Sequence, residues 1–274
     1  MFNWDIIFIM KDLKRVFANK GVEFEYRRKL NKLVDGMNKS VMYWVLANLG
    51  DRTPKQMAKE IQKRIKQWKK VFGKQSEIIA EWFVRTLYNH TITDMNNAFK
   101  EADIKVKPRI PKKTVGAVYI ENENLIKSIP EKYFEGVEVV AMLALLYGWD
   151  RKRFADELKK RHIIAIRRVK NIASDQTHKT TEVFKMVICS EAKIKYARWQ
   201  YTYLSKTPRE QHIHMNGDLF DIEKGCYDSK EGEYIYPAEL VNCKCSFIPV
   251  LEEQGEDIRK EIEKRAYYKK VARG

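Results

Sequence analysis

The chain of 274 residues carries 53 Lys and Arg against 37 Asp and Glu, a formal charge of +16 at pH 7, with 44% hydrophobic and 12% aromatic residues. That balance excludes a wholly disordered or fibrous polymer and leaves room for one large or two modest cores. Excess cation draws polyanions, nucleic acid ahead of an anionic membrane, with a solubilising lysine bias as the plain alternative. Four cysteines, Cys189, Cys226, Cys243 and Cys245, are too few for a disulfide scaffold and point to a reducing, cytoplasmic setting.

In chain order, residues 2–10 are apolar and suit a short strand or the start of a docking helix. They lack the basic flank and cleavage site of a signal peptide and are too short to span a bilayer, so no membrane partner is expected. Leu13, Val16, Phe17, Phe24, Leu30 and Leu33 predict a helix from residue 11 to 34, and residues 40–49 a second one, capped by Ser40 and stopped by Gly50. Thr53 and Pro54 open the clearest helix, with Met57, Ile61, Ile65, Trp68 and Phe72 as one apolar stripe. Lys55, Lys59, Lys63, Lys66 and Lys70 lie on its far side. A lysine-faced helix can follow a phosphate backbone, and a solvated helix face is the alternative. Residues 77–102 predict another long helix.

Residues 105–121 read as a basic linker, because Pro108 and Pro111 bar regular structure. Beyond it, residues 122–129 form a turn or two of helix ended by Pro130, and residues 137–147 an apolar helix closed by Gly148. Asp150 caps a basic helix to residue 161, and residues 163–192 make one more. From residue 194 the texture turns to short strands and loops, and residues 257–273 to a charged helix or tail. The fold class is α+β, mainly α. A helical region, 1–104, precedes the linker at 105–121, an α+β domain at 122–250 and a tail at 251–274.

Chemistry concentrates in residues 199–249. His212 and His214 form one pair, Cys243 and Cys245 another. If each pair lies on a strand, its side chains share a face, and the two strands together present an N2S2 set suited to tetrahedral zinc. Cys226 is a substitute ligand, and burial of the cysteines as small hydrophobes is the other reading. His212 as a general base or Cys243 as a nucleophile lacks a partner at diagnostic spacing, so no catalytic residue is assigned. Arg209 is expected to bond a carboxylate, and Asn216 and Gly217 to reverse the chain between strands. His90, His162 and His178 stand isolated on helices. No glycine-rich phosphate loop and no HExxH stands in the chain.

Taken as an ordered pattern, Trp199, Arg209, His212, Gly217, Phe220, Pro237, Glu239, Leu240, Asn242, Cys243, Cys245 and Pro249 resemble the phage Mu F-like, or phage head morphogenesis, family of minor head proteins. The departures are Lys244 for the usual Arg, Ala238 for the usual Gly, and Ser205 and Thr207 where Asp and Arg are common. The resemblance covers the second half of the chain. It implies a non-enzymatic minor capsid protein of a tailed double-stranded DNA phage, assembled in the host cytoplasm and placed in the virion at the portal vertex. Its implied partners are the portal protein, the major capsid or scaffolding protein, and double-stranded DNA.

Overall fold

The computed structural model describes residues 11–47, 53–203 and 208–251. The expectations for residues 2–10, Gly50, Ser205, Thr207 and the tail from residue 252 lie outside the described residues. Among these, the chain is mainly α with short antiparallel strands, an α+β fold. The order is β1 (Lys11–Asp12), α1 (Lys20–Ala47), α2 (Pro54–Glu101), α3 (Lys112–Tyr147), α4 (Arg151–Glu191), β2 (Tyr196–Gln200), α5 (Glu210–His214), β3 (Leu219–Asp221), β4 (Cys226–Asp228), β5 (Glu233–Ile235) and β6 (Ser246–Leu251).

The helix ends follow from local chemistry. Asn19 caps α1 by accepting the Val22 N–H at 3.0 Å. Thr53 and Gln56 form a reciprocal capping box ahead of α2, Thr53 N–H donating to Gln56 Oε1 at 2.9 Å. Asp150 accepts the Arg153 N–H at 2.7 Å and opens α4. Three helices stop in the same way. Asp103, Gly148 and Lys193 take left-handed backbone angles, φ 58°, 57° and 59°. The next residue, Ile104, Trp149 or Ile194, then donates its N–H back to Phe99, Ala144 or Cys189, which satisfies an otherwise orphaned carbonyl and turns an apolar side chain onto the helix end.

Several expected breaks are absent. Ser40 lies inside α1 rather than capping a helix, and β1 with the irregular residues 13–19 replaces the first turns of the helix expected from residue 11. Val22, Tyr26, Leu30, Val34, Met37 and Val41 form the buried stripe of α1, while Phe17 and Phe24 are exposed. One helix, α2, runs through Gly73, and one helix, α4, joins the two expected segments at residues 161–163. Pro130 sits within α3, where it removes one backbone hydrogen bond. The apolar face holds its register across it, with Ile126, Ile129, Tyr133, Phe134 and Val137 all buried, and that packing outweighs the local break. The linker accordingly shrinks, since residues 112–121 are the first turns of α3.

The chain packs into two interleaved units, whereas the expected boundaries at 104 and 122 are sequential. One comprises residues 19–87 and 112–177, the other residues 11–18, 88–111 and 178–251, so α2 and α4 supply residues to both. The first unit is all helix, with Tyr26, Phe72, Phe83, Phe134 and Phe154 fully buried. Its polar centre is Asn122, which accepts the Tyr26 hydroxyl at 3.1 Å and donates to Val118 O and Gln176 Oε1. His162 pairs with Asp35 at 2.8 Å.

The second unit holds a four-stranded antiparallel sheet ordered β1-β6-β2-β3 and a separate β4-β5 hairpin. Strands β2 and β6 pair from Tyr196↔Val250 to Gln200↔Ser246, which brings the cysteine end of β6 beside Trp199 and Gln200. The end of α4 meets β6 through Lys185 and Glu182, which bond Ser246 and Phe247. No helix among the described residues is long and apolar enough to cross a membrane.

Candidate metal centre

Trp199 anchors the centre. It is fully buried in β2, and its ring meets His212 edge-on at 5.3 Å and Phe220 at 6.2 Å. His212 reaches it from α5, not from a strand as expected. On a helix, residues two apart point about 200° apart, so His212 is buried while His214 is exposed. The second histidine is therefore not part of the group, and the N2S2 set reduces to one nitrogen and two sulfurs. Those atoms, from His212, Cys243 and Cys245, lie within 4.8 Å of one another and are all buried. His212 Nδ1 stands 3.4 Å from Cys243 Sγ and 3.5 Å from Cys245 Sγ. Cys226 lies on β4 and does not join them.

Cys243 and Cys245 sit in the loop that enters β6, not in the strand. Two left-handed residues shape this loop, Ala238 at φ 65° and Asn242 at φ 62°. Asparagine tolerates that conformation and alanine resists it. Ala238 is thus strained at a position that glycine would take without that cost. Arg209 donates to the Val241 carbonyl at 3.1 Å, a backbone acceptor rather than the expected carboxylate, and ties α5 to the same loop. Asn216 accepts the Tyr201 N–H at 2.9 Å, and Gly217 at φ 83° completes the turn from α5 into β3 rather than between two strands. Pro237 is buried at the start of the Ala238 turn.

Two further groups complete the site and were not singled out from the sequence. Asp228, at the end of β4, is buried, and its Oδ2 lies 3.4 Å from His212 Nε2. That contact is at ion-pair range without hydrogen-bond alignment. Its Oδ1 accepts the N–H groups of Lys230 and Glu231 and so closes the β4–β5 turn. The second group is Glu182 and Lys185 on α4. Lys185 Nζ donates to Glu182 at 2.8 Å, to Ser246 Oγ at 3.0 Å and to the Phe247 carbonyl at 3.0 Å, all out of solvent. Glu182 in turn accepts the Phe247 N–H at 3.2 Å. The pair fixes the start of β6, next to Cys245. A Glu and Lys three apart among Phe184, Ile188 and Cys189 was the available signal.

Electrostatics separate the thiols. The hydrogen bond from Cys245 and, next among the lowering contacts, that to His212 hold Cys243 down to about 4, while the same bond to Cys243 pushes Cys245 up. Burial pushes Cys189 up to about 12, the mark of an inert core thiol. Around the two sulfurs, the Trp199 indole and the backbone N–H groups of Thr202 and Cys245 point at sulfur. The indole nitrogen makes no well-aligned hydrogen bond. Such a shell of donors favours anionic sulfur.

The lysines of the candidate nucleic-acid face are elsewhere, in the helical unit. Lys55, Lys59, Lys63, Lys66 and Lys70 are all exposed along α2, opposite the buried Met57, Ile61, Ile65 and Phe72.

No protein-family profile and no solved structure matches the chain. An uncharacterized protein of Haemophilus influenzae is 28% identical over 173 residues, covering 63% of this chain and 36% of that protein. The chain thus spans about a third of the relative it matches.

Proposed function

We propose that the chain is a minor head protein of the head morphogenesis type, from a tailed double-stranded DNA phage, acting in head assembly at the portal vertex and not as an enzyme. One observation carries this reading. The residues of the resembling motif behave as a single packed unit, in which Trp199, His212, Cys243 and Cys245 meet. Arg209 and Asn216 bind the loops around them. The non-enzymatic part is supported by burial, since His212, Cys243, Cys245 and Asp228 are all closed off from solvent. Trp44, Met142 and Leu146, exposed on the helical unit, supply an apolar partner surface for the portal, and the α2 lysines supply the contact to DNA. Major capsid or scaffolding protein is the further partner in the host cytoplasm, and the head interior the final location.

The exposed lysine face also favours a second reading, a nucleic-acid-binding protein without a capsid role. Retention of the full chain by purified portal at both low and moderate salt supports the head-protein reading. DNA binding with steep salt dependence and no retention by portal supports the second. DNA or RNA cleavage by the chain that is lost in His212→Ala overturns the non-enzymatic assignment.

A further inference from the structure

We propose that His212, Cys243 and Cys245 bind one zinc ion through three protein ligands, with Asp228 as the residue that positions the imidazole. This does not rest on the head-protein reading. The geometry fits the ion closely. Zinc bonds thiolate sulfur at about 2.3 Å and imidazole nitrogen at about 2.0–2.1 Å in tetrahedral sites, which sets the sulfur-to-nitrogen edge at about 3.5 Å. The two edges here are 3.4 and 3.5 Å, before any adjustment of the side chains.

Charge fits as well. Ligating as thiolates, Cys243 and Cys245 bring a charge of −2 to the neutral imidazole in a buried pocket, and one divalent cation brings the three-ligand group to neutrality. Both cysteines ligate as thiolates, so any thiol proton still held when the ion binds leaves to solvent. The imidazole coordinates through the Nδ1 lone pair, which leaves its proton on Nε2, facing Asp228 Oδ2. A carboxylate behind a ligating histidine fixes the tautomer and raises ligand basicity. The soft sulfur pair selects zinc over magnesium or calcium. His214 and Cys226 take no part. Among the described residues no fourth donor joins the group, so the fourth position takes an exogenous ligand.

The test uses the full chain, expressed without a metal-binding tag in zinc-supplemented medium. About one equivalent of zinc is expected after gel filtration, retained in His214→Ala and lost in Cys243→Ser, Cys245→Ser and His212→Ala. Cobalt(II) titration of the wild type reads the same site without relying on variants that fail to fold. It should produce a sulfur-to-cobalt charge-transfer band that saturates at one equivalent. Asp228→Asn keeps an acceptor for the hairpin turn and removes the charge. Its zinc affinity in competition with a chromophoric chelator should fall about 10- to 100-fold, with thermal unfolding of the metal-free chain lowered by far less than in Asp228→Ala. Less than half an equivalent of zinc together with no cobalt band, a disulfide between Cys243 and Cys245 in the purified protein, or loss of the ion in His214→Ala overturns the site. Unaltered affinity in Asp228→Asn overturns the positioning role.

Discussion

Asp228 and His212 meet across two elements that share no backbone hydrogen bonds in the sheet: a carboxylate oxygen at the end of β4 stands 3.4 Å from the Nε2 of a histidine on α5. The same carboxylate closes its own hairpin turn through Lys230 and Glu231. One side chain therefore holds a local turn and a distant ring together. Asp228→Ala should destabilise the chain by about 2–3 kcal/mol, because it takes the carboxylate from the buried His212 ring and the acceptor from two part-buried turn N–H groups, whereas Asp228→Asn should cost less than half of that. Urea unfolding of the two variants side by side checks the difference.

Lys185 and Glu182 predict a pH-dependent penalty. Burial already pushes the Glu182 carboxyl above its usual 4.5, against the pull of Lys185 and the other donors. Lys185→Met removes the strongest of those donors and should cost about 3–5 kcal/mol at neutral pH. A carboxyl raised on folding is favoured in its protonated form, so the stability it contributes is present below 4.5 and lost as pH rises through the folded value. The penalty in Lys185→Met should then be smaller at pH 5 than at pH 8. Lys185→Met combined with Glu182→Leu should recover most of it, measured by chemical unfolding across that range.

Ala238 predicts a gain. Its left-handed backbone, φ 65°, costs an L-residue about 1–2 kcal/mol relative to glycine. Ala238→Gly should raise stability by about 1 kcal/mol after the greater chain entropy of glycine is subtracted, seen as a higher midpoint in calorimetry.

Asn122 should be intolerant. It satisfies Tyr26, Val118 and Gln176 at once, wholly out of solvent. Asn122→Leu leaves the buried Tyr26 hydroxyl and the Gln176 carbonyl without that partner and should cost about 2–4 kcal/mol. Unfolding of a Tyr26→Phe, Asn122→Leu double variant should show that the two losses are not additive.

The α2 lysines predict a salt effect. Replacing Lys55, Lys59, Lys63, Lys66 and Lys70 with Gln should flatten the slope of log affinity for duplex DNA against log salt by up to about 4.5, on a release of about 0.9 counterion per phosphate contacted. Titration at several salt concentrations reads it, and the fold should be unchanged because all five side chains are exposed.

Where the sequence spoke through local chemistry it was legible. Thr53, Asp150 and Gly148 mark the helix ends they were expected to mark, because capping depends on residues within one turn. The apolar stripe of α2 was readable for the same reason. Pro130 misled, as did the division of α2 into two helices between residues 72 and 77, because a continuous buried face outvotes a single weak position, and that face is visible only once the helices are packed. At the site, the cysteines and His212 were readable as a cluster of types. Their partner Asp228 was not, since Asp-Ser-Lys-Glu-Gly has the look of any polar turn and its burial is a tertiary fact. His214 failed for a geometric reason: a strand would have aligned it with His212, and a helix turned it away.

The sheet order β1-β6-β2-β3 places the end of β6, Val250 and Leu251, between residue 11–12 and residue 196. During synthesis β1 therefore waits for β6. The helical unit, complete by residue 177, can assemble on the ribosome while β1 is still unpaired. The cysteine loop at 243–245 emerges only as the strand that locks the sheet arrives.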